Sequence, residues 1–343
     1  MRNANRSVWA ALATAATLLA GWIAPFGAAA QEQKLTFGLP GIPPVFGTVL
    51  QYTAREEGMF KKYGVDVTLR EFDSGAAAAR AVQSGNIDIS LSPTPVIVNM
   101  ISNAGVDLVT IWGMENPTWV LATTDPAIAK CADVKGQGVG VDSINGARSV
   151  ALREMIAPCG LKGADVNEIP LSTNVGAAMI AGQLKIGVLH MDDVPVIEEQ
   201  LKKKLHFITS MREVNPVNHY LVLVVLREGL AKKRDAFVRL LAAHIDATRF
   251  MKDSKNADRV AEIAKPTGRS PSVAKAALAK YLDMEFWPFD RDGLTRRNLE
   301  AVVENQKRTG AIREGRTPVG YDKLADTSVW RDAMAMVKAR GGK

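Results

Sequence analysis

The chain is poor in the residues that build metal and redox centres. It has two cysteines and four histidines in 343 residues, too few for a zinc ribbon or a cysteine-ligated iron–sulfur cluster. No His-x-x-x-His pair marks a metalloprotease helix, so neither a metal nor a cofactor is expected. Aromatic residues make up 6%, and no basic run is interleaved with them. The formal charge of +7 therefore carries no nucleic-acid signature. After the first thirty residues no apolar stretch reaches the roughly 18 needed to cross a bilayer. Enzyme loops are missing as well. There is no Gly-x-Ser-x-Gly elbow and no phosphate-binding Gly-Lys-Ser/Thr loop, and Gly136, Gly138 and Gly140 precede a strand where a dinucleotide fingerprint would follow one. Ser272-Val273-Ala274-Lys275 matches Ser-x-x-Lys without its companion motifs. No catalytic residue is assigned.

What is present is an ordinary folded composition, 47% hydrophobic and 23% charged, in a chain long enough for about two domains. The first thirty residues read as a cleaved signal peptide. Arg2 and Arg6 open it, residues 8–20 form a short apolar run, and Ala28-x-Ala30 supplies the small residues of a cleavage site. The mature chain is expected to start at Gln31 in the periplasm, without a lipid anchor because the leader has no cysteine. In that oxidising compartment Cys131 and Cys159 are expected to pair, with two buried free thiols as the alternative.

The mature chain alternates strands and helices. Strands are predicted at 34–39, 65–72, 87–91, 108–113 and 119–123, with helices at 45–60, 74–84 and 94–102 between them. A second series follows, with strands at 138–141, 166–171, 186–190, 207–210 and 220–225 and helices at 147–157, 175–181 and 193–204. Beyond Glu228 the pattern is helical. This is an α/β chain with mixed sheets flanked by helices.

The breaker cluster at 40–44, the Gly58-Met59-Phe60-Lys61-Lys62-Tyr63-Gly64-Val65-Asp66-Val67 segment, Gln83-Ser84-Gly85-Asn86-Ile87-Asp88 and Ala132-Asp133-Val134-Lys135-Gly136-Gln137-Gly138-Val139-Gly140-Val141 together resemble the periplasmic solute-binding proteins of ABC importers. The closest branch is the sulfonate, nitrate and thiamine-pyrimidine group, from which Lys185 departs because that group usually carries an acid before this strand. The resemblance implies a two-lobed type II periplasmic binding protein fold with a ligand cleft between the lobes. Residues 31–121 and 211–343 would form lobe 1, carrying the C-terminal helices, and 122–210 would form lobe 2. It also implies a monomer that closes on a small-molecule ligand and delivers it to an ABC permease.

In open α/β sheets ligands sit beyond the carboxyl ends of strands, where loops feed helix N-termini. Those loops nominate Pro43 in the breaker, Ser74 and Gly75, Ser92 and Thr94, the polar turn Ser143, Asn145 and Gly146 with Arg148, and His190 with Asp192. Asn116 and Trp119 add an amide and an indole near the crossover. Arg148 is expected at a solvated helix start, where its planar fork and the free N–H groups of the turn would meet a carboxylate or sulfonate. The ligand is thus expected to be a small organic anion, aromatic if Trp112 and Trp119 line the cleft. A pyrimidine or an amine is the alternative, and a thiamine-pyrimidine synthase-like enzyme the remote one, since such an enzyme is cytosolic and carries a cysteine-rich iron-binding segment.

Overall fold

The computed structural model describes residues 33–172 and 174–341; the signal peptide expected at 1–30 lies outside them. β1 (Gln33–Pro40) is followed by the short helices α1 (Val49–Glu56) and α2 (Met59–Lys62). The single helix predicted at 45–60 is split because Gly58 takes φ 67°, a left-handed conformation that glycine adopts without steric cost. Next come β2 (Val65–Phe72), α3 (Gly75–Gln83), β3 (Ile89–Pro93), α4 (Thr94–Ala104) and β4 (Leu108–Met114). β5 (Trp119–Thr123), β6 (Gly138–Val141), α5 (Ala147–Ile156), β7 (Asn167–Pro170), α6 (Val175–Ile180), β8 (Ile186–His190), α7 (Asp193–Leu201), β9 (His206–Ser210), α8 (Met211–Val214) and β10 (Leu221–Leu226) follow. Helices close the chain: α9 (Arg227–Lys252), α10 (Ala257–Ile263), α11 (Pro271–Asp283), α12 (Arg296–Arg308), α13 (Tyr321–Leu324) and α14 (Ser328–Ala339).

The strands form two five-stranded sheets, ordered β2-β1-β3-β10-β4 and β7-β6-β8-β5-β9. Each has three parallel strands and then a strand inserted antiparallel. The inserted strand is in both cases the one that has just crossed from the other lobe. β3, β4, β5 and β8 are buried along their whole length; β4, β5 and β8 accordingly read as near-continuous apolar runs, whereas β3 buries Ser90 and Ser92 with their hydroxyls hydrogen-bonded.

The position of the crossing corrects the sequence reading. Trp119 pairs with His190 and Val120 with Ser210, so all of β5 belongs to the second sheet. The chain passes over at residues 115–118, ahead of Leu121, and returns through 211–220. The α9 and α14 helices pack on the first sheet and α12 packs on α4, placing the C-terminal helices on lobe 1. One apolar core runs through both lobes, with a satellite cluster in each.

Candidate functional site

The carboxyl ends of β1, β3, β6 and β8 converge on two adjoining cavities of about 250 and 40 Å³. Val45, Arg148 and His190 line both. The larger has an apolar wall from Pro44, Val45, Ala177, Ile180 and Ile197, with Pro43 at its edge. Ser74, Gly75, Trp119 and Tyr220 line the smaller.

Ser74 caps α3, its Oγ accepting from the Ala77 N–H at 3.2 Å. The N–H groups of Gly75 and Ala76 have no acceptor among the described residues, so the positive end of this helix opens toward the smaller cavity. Only glycine fits at 75: a Cβ there would lie 2.6 Å from Pro93 Cδ.

Arg148 is buried, 3% exposed, and not the solvated helix residue that its position suggested. Its guanidinium lies 5.5 Å from the centre of the Trp119 ring. Two long contacts hold it, both at 3.4 Å, to the Ser172 carbonyl and Asp193 Oδ2. Asp193 also accepts from Arg269 at 2.7 Å and from the His190 backbone N–H at 3.1 Å. Burial works against its charge, but Arg269 and Arg148 together hold its carboxyl below the usual range. His190 is buried and its pKa pushed down to about 3, first by burial and then by Arg148. It is neutral, with the Thr118 and Tyr220 hydroxyls 2.8 and 3.1 Å from Nδ1.

The remaining nominated residues are spent on the fold. The Ser92 hydroxyl donates to the Gly75 carbonyl at 3.0 Å and Thr94 Oγ1 meets His219 at 2.8 Å. Asn116 donates to the Met284 carbonyl. In the polar turn, Asp142 accepts from the Ala147 and Arg148 N–H groups, both at 3.0 Å. The N-terminus of α5 is therefore capped by this chain's own carboxylate, which corrects the expectation that its N–H groups stay free. Ser143 and Gly146 fold over Asp142, where a Cβ at Gly146 would lie 2.3 Å from Ser143 Oγ. Asn145, at φ 60°, accepts from Arg153. Asp192 is 1% exposed and bonded to Arg269 and to the Tyr281 hydroxyl, which makes it a tie between the lobes and not a lining group. Trp119 is covered by His190, their ring centres 3.9 Å apart, and Trp112 is core, so neither offers a free face for a flat ring. Cys131 and Cys159 form a disulfide.

Arg269, Tyr281 and Tyr220 were not legible as site residues. Arg269 reaches Asp193 across 76 positions of sequence, and nothing local marks it. Asp142 had a signal, a carboxylate just ahead of a helix, but it sits five residues before the first helical position because the turn at Asn145 loops back.

A two-lobed α/β molecule with a solute-sized, part-apolar cavity at its strand ends has the periplasmic binding protein fold. The family model described as NMT1/THI5 like matches residues 47–257, and the chain belongs to that family. A sequence search of curated proteins returns no match. Among solved structures, a Bordetella bronchiseptica RB50 protein aligns at TM-score 0.77 with 20% identity over 90% of this chain and 99% of its own. The alkanesulfonate-binding protein SsuA of Xanthomonas axonopodis pv. citri, bound to MOPS, aligns at 0.68 with 15% identity over 87% and 100%. The desulfurization enzyme DSZB aligns at 0.62 with 15% identity over 89% and 99%.

Proposed function

We propose that this chain is an exported, monomeric solute receptor that holds a small organic anion, a sulfonate or carboxylate, between its lobes and delivers it to an ABC permease. The observation that carries the reading is Arg148. It is a buried guanidinium lining both cavities, held by two contacts at 3.4 Å, and it shares the smaller cavity with the α3 N-terminus. An anionic head there would gain shorter, charge-assisted bonds from the fork and from the Gly75 and Ala76 N–H groups. The apolar wall of the larger cavity suits the organic body. The same class of ligand is named for the sulfonate-binding neighbour. The capped faces of Trp119 count against a flat heteroaromatic ring.

Binding without chemistry fits the groups on hand. His190 is neutral and already hydrogen-bonded, Asp193 is fixed between two arginines, and no described cysteine is free. Because the fold also carries DSZB, the test has two readouts. A thermal-shift screen of alkanesulfonates, aromatic carboxylates, nitrate and pyrimidines should raise Tm with the first two, since ligand at 100 times its Kd stabilises a fold by about 2.7 kcal/mol. Mass spectrometry should return the hit unchanged. A response to pyrimidines alone, or turnover of the hit, would overturn the reading.

A further inference from the structure

A third concavity lies beside the candidate site, lined in part by Ala76 of the α3 N-terminus but by none of the residues that line the two cavities. It is a groove of about 590 Å³ between α3, α4 and the end of α12 on lobe 1 and the Ile144–Glu154 stretch on lobe 2. Three arginines line it: Arg80, Arg153 and Arg313. Arg153 is matched by Glu168 at 2.8 Å. The guanidiniums of Arg80 and Arg313 have no partner among the described residues, although charged groups elsewhere on this surface are widely paired. The one carboxylate in the lining, Glu154, is turned to hydrogen bonds with Gln306 and Asn215 at 3.3 and 3.2 Å. Asn99 donates to Gln306, while its Oδ1 is buried without a donor.

The groove thus presents unpaired positive charge from one lobe, a third arginine from the other, and one buried acceptor. Unpaired guanidiniums in a concave surface raise the local concentration of anions, and several acting together bind where one exposed pair would be screened away. The acceptor asks for a donor, and a hydroxyl is the simplest that a polyanion carries. We infer that this groove is a second ligand site, for a small hydroxylated multivalent carboxylate, independent of the cleft ligand.

Citrate is the probe, with tricarballylate, the same tricarboxylate without the hydroxyl, as its comparison. Calorimetry on the full mature chain at constant ionic strength should show saturable citrate binding. Arg80→Ala/Arg313→Ala should weaken it more than tenfold, and Arg148→Ala should leave it unchanged. Both groove arginines are exposed, so the double variant should keep its circular dichroism spectrum and its response to the cleft ligand. Tricarballylate should bind several-fold more weakly. No saturable citrate heat, or citrate binding lost in Arg148→Ala and kept in the double variant, overturns the site. Equal affinity for the two acids overturns the role of Asn99. Failure of the cleft proposal would show separately, as no response to sulfonates or simple carboxylates.

Discussion

Arg148 decides the cleft chemistry at the scale of single residues. A charge-assisted hydrogen bond contributes about 1.5 to 3 kcal/mol, so Arg148→Ala should weaken anion binding by about 10-fold to over 100-fold. Arg148→Lys keeps the charge and loses the fork, and should fall between. Because the side chain is buried against Trp119, the alanine variant should also lower Tm, which a solvated arginine would not do. Calorimetry and a melting curve on the three proteins check this; unchanged affinity in Arg148→Ala would remove the anion reading. The arginine itself was readable from sequence because a fork beside a small polar turn at a helix start is a local pattern. Its burial was not, since that depends on Trp119 from β5 and Asp193 from the start of α7. The same holds for Asp192, which looks like a ligand acceptor next to His190 and is instead consumed by Arg269 and Tyr281 from the C-terminal segment.

Two ties between elements can be separated experimentally. The first joins lobe to lobe: Arg269 and Tyr281 of the C-terminal segment hold the start of α7 through Asp192 and Asp193. Arg269 is shared between Asp192 and Asp193, so removing the Asp192 charge leaves one carboxylate where two held it and loosens the contact between the lobes. Asp192→Asn should therefore enlarge the ligand-free radius of gyration in small-angle scattering and weaken ligand binding without touching the cavity lining. An unchanged radius and affinity would mean that the tie does not govern closure. The second tie lies within lobe 2, where the disulfide joins the turn before β6 to the end of α5. Its loop spans 28 residues of separation, and Cys131→Ser/Cys159→Ser should cost about 3 to 4 kcal/mol in denaturant unfolding in the chain-entropy model. The strands next to the two ties, β8 ahead of Asp192 and β6 after Cys131, were legible because β-branched runs bounded by glycine and proline have few other readings. The helix at 45–60 was drawn through Gly58 because apolar spacing continues on both sides of it, and the spacing alone does not register a left-handed residue.

The lobes were legible for the whole molecule as two strand-helix series, but their boundary was not. Residues 119–123 are as apolar as the strands on either side, and only pairing with β8 and β9 assigns them. The matching insertion of β10 into the first sheet is a contact between distant parts of the chain that local patterns do not encode. The lobe interface also sets a pH dependence for the molecule as a unit. Glu154 of lobe 2 accepts from Gln306 of lobe 1 and from Asn215 of the return crossing, and burial pushes its pKa up to about 7 against the pull of Asn215, Asn305 and Arg308. A carboxyl whose folded pKa exceeds its unfolded value of 4.5 binds more protons folded than unfolded between those two values. Its contribution is full below about pH 4.5, is lost as pH rises to about 7, and is constant above; the total is on the order of 3 kcal/mol. His190, His219 and His244 act the other way, because burial lowers their pKa values to about 3, 4 and 3. They remove stability as pH falls below 6.5, so the wild-type curve alone does not isolate Glu154. The difference between wild type and Glu154→Gln does, since the variant keeps all three histidines. Unfolding free energies measured from pH 5 to 8 should show wild type losing stability relative to Glu154→Gln as pH rises, with the gap levelling off above pH 7. Parallel curves would mean that Glu154 is ionised at the interface and that the lobes carry no such proton linkage.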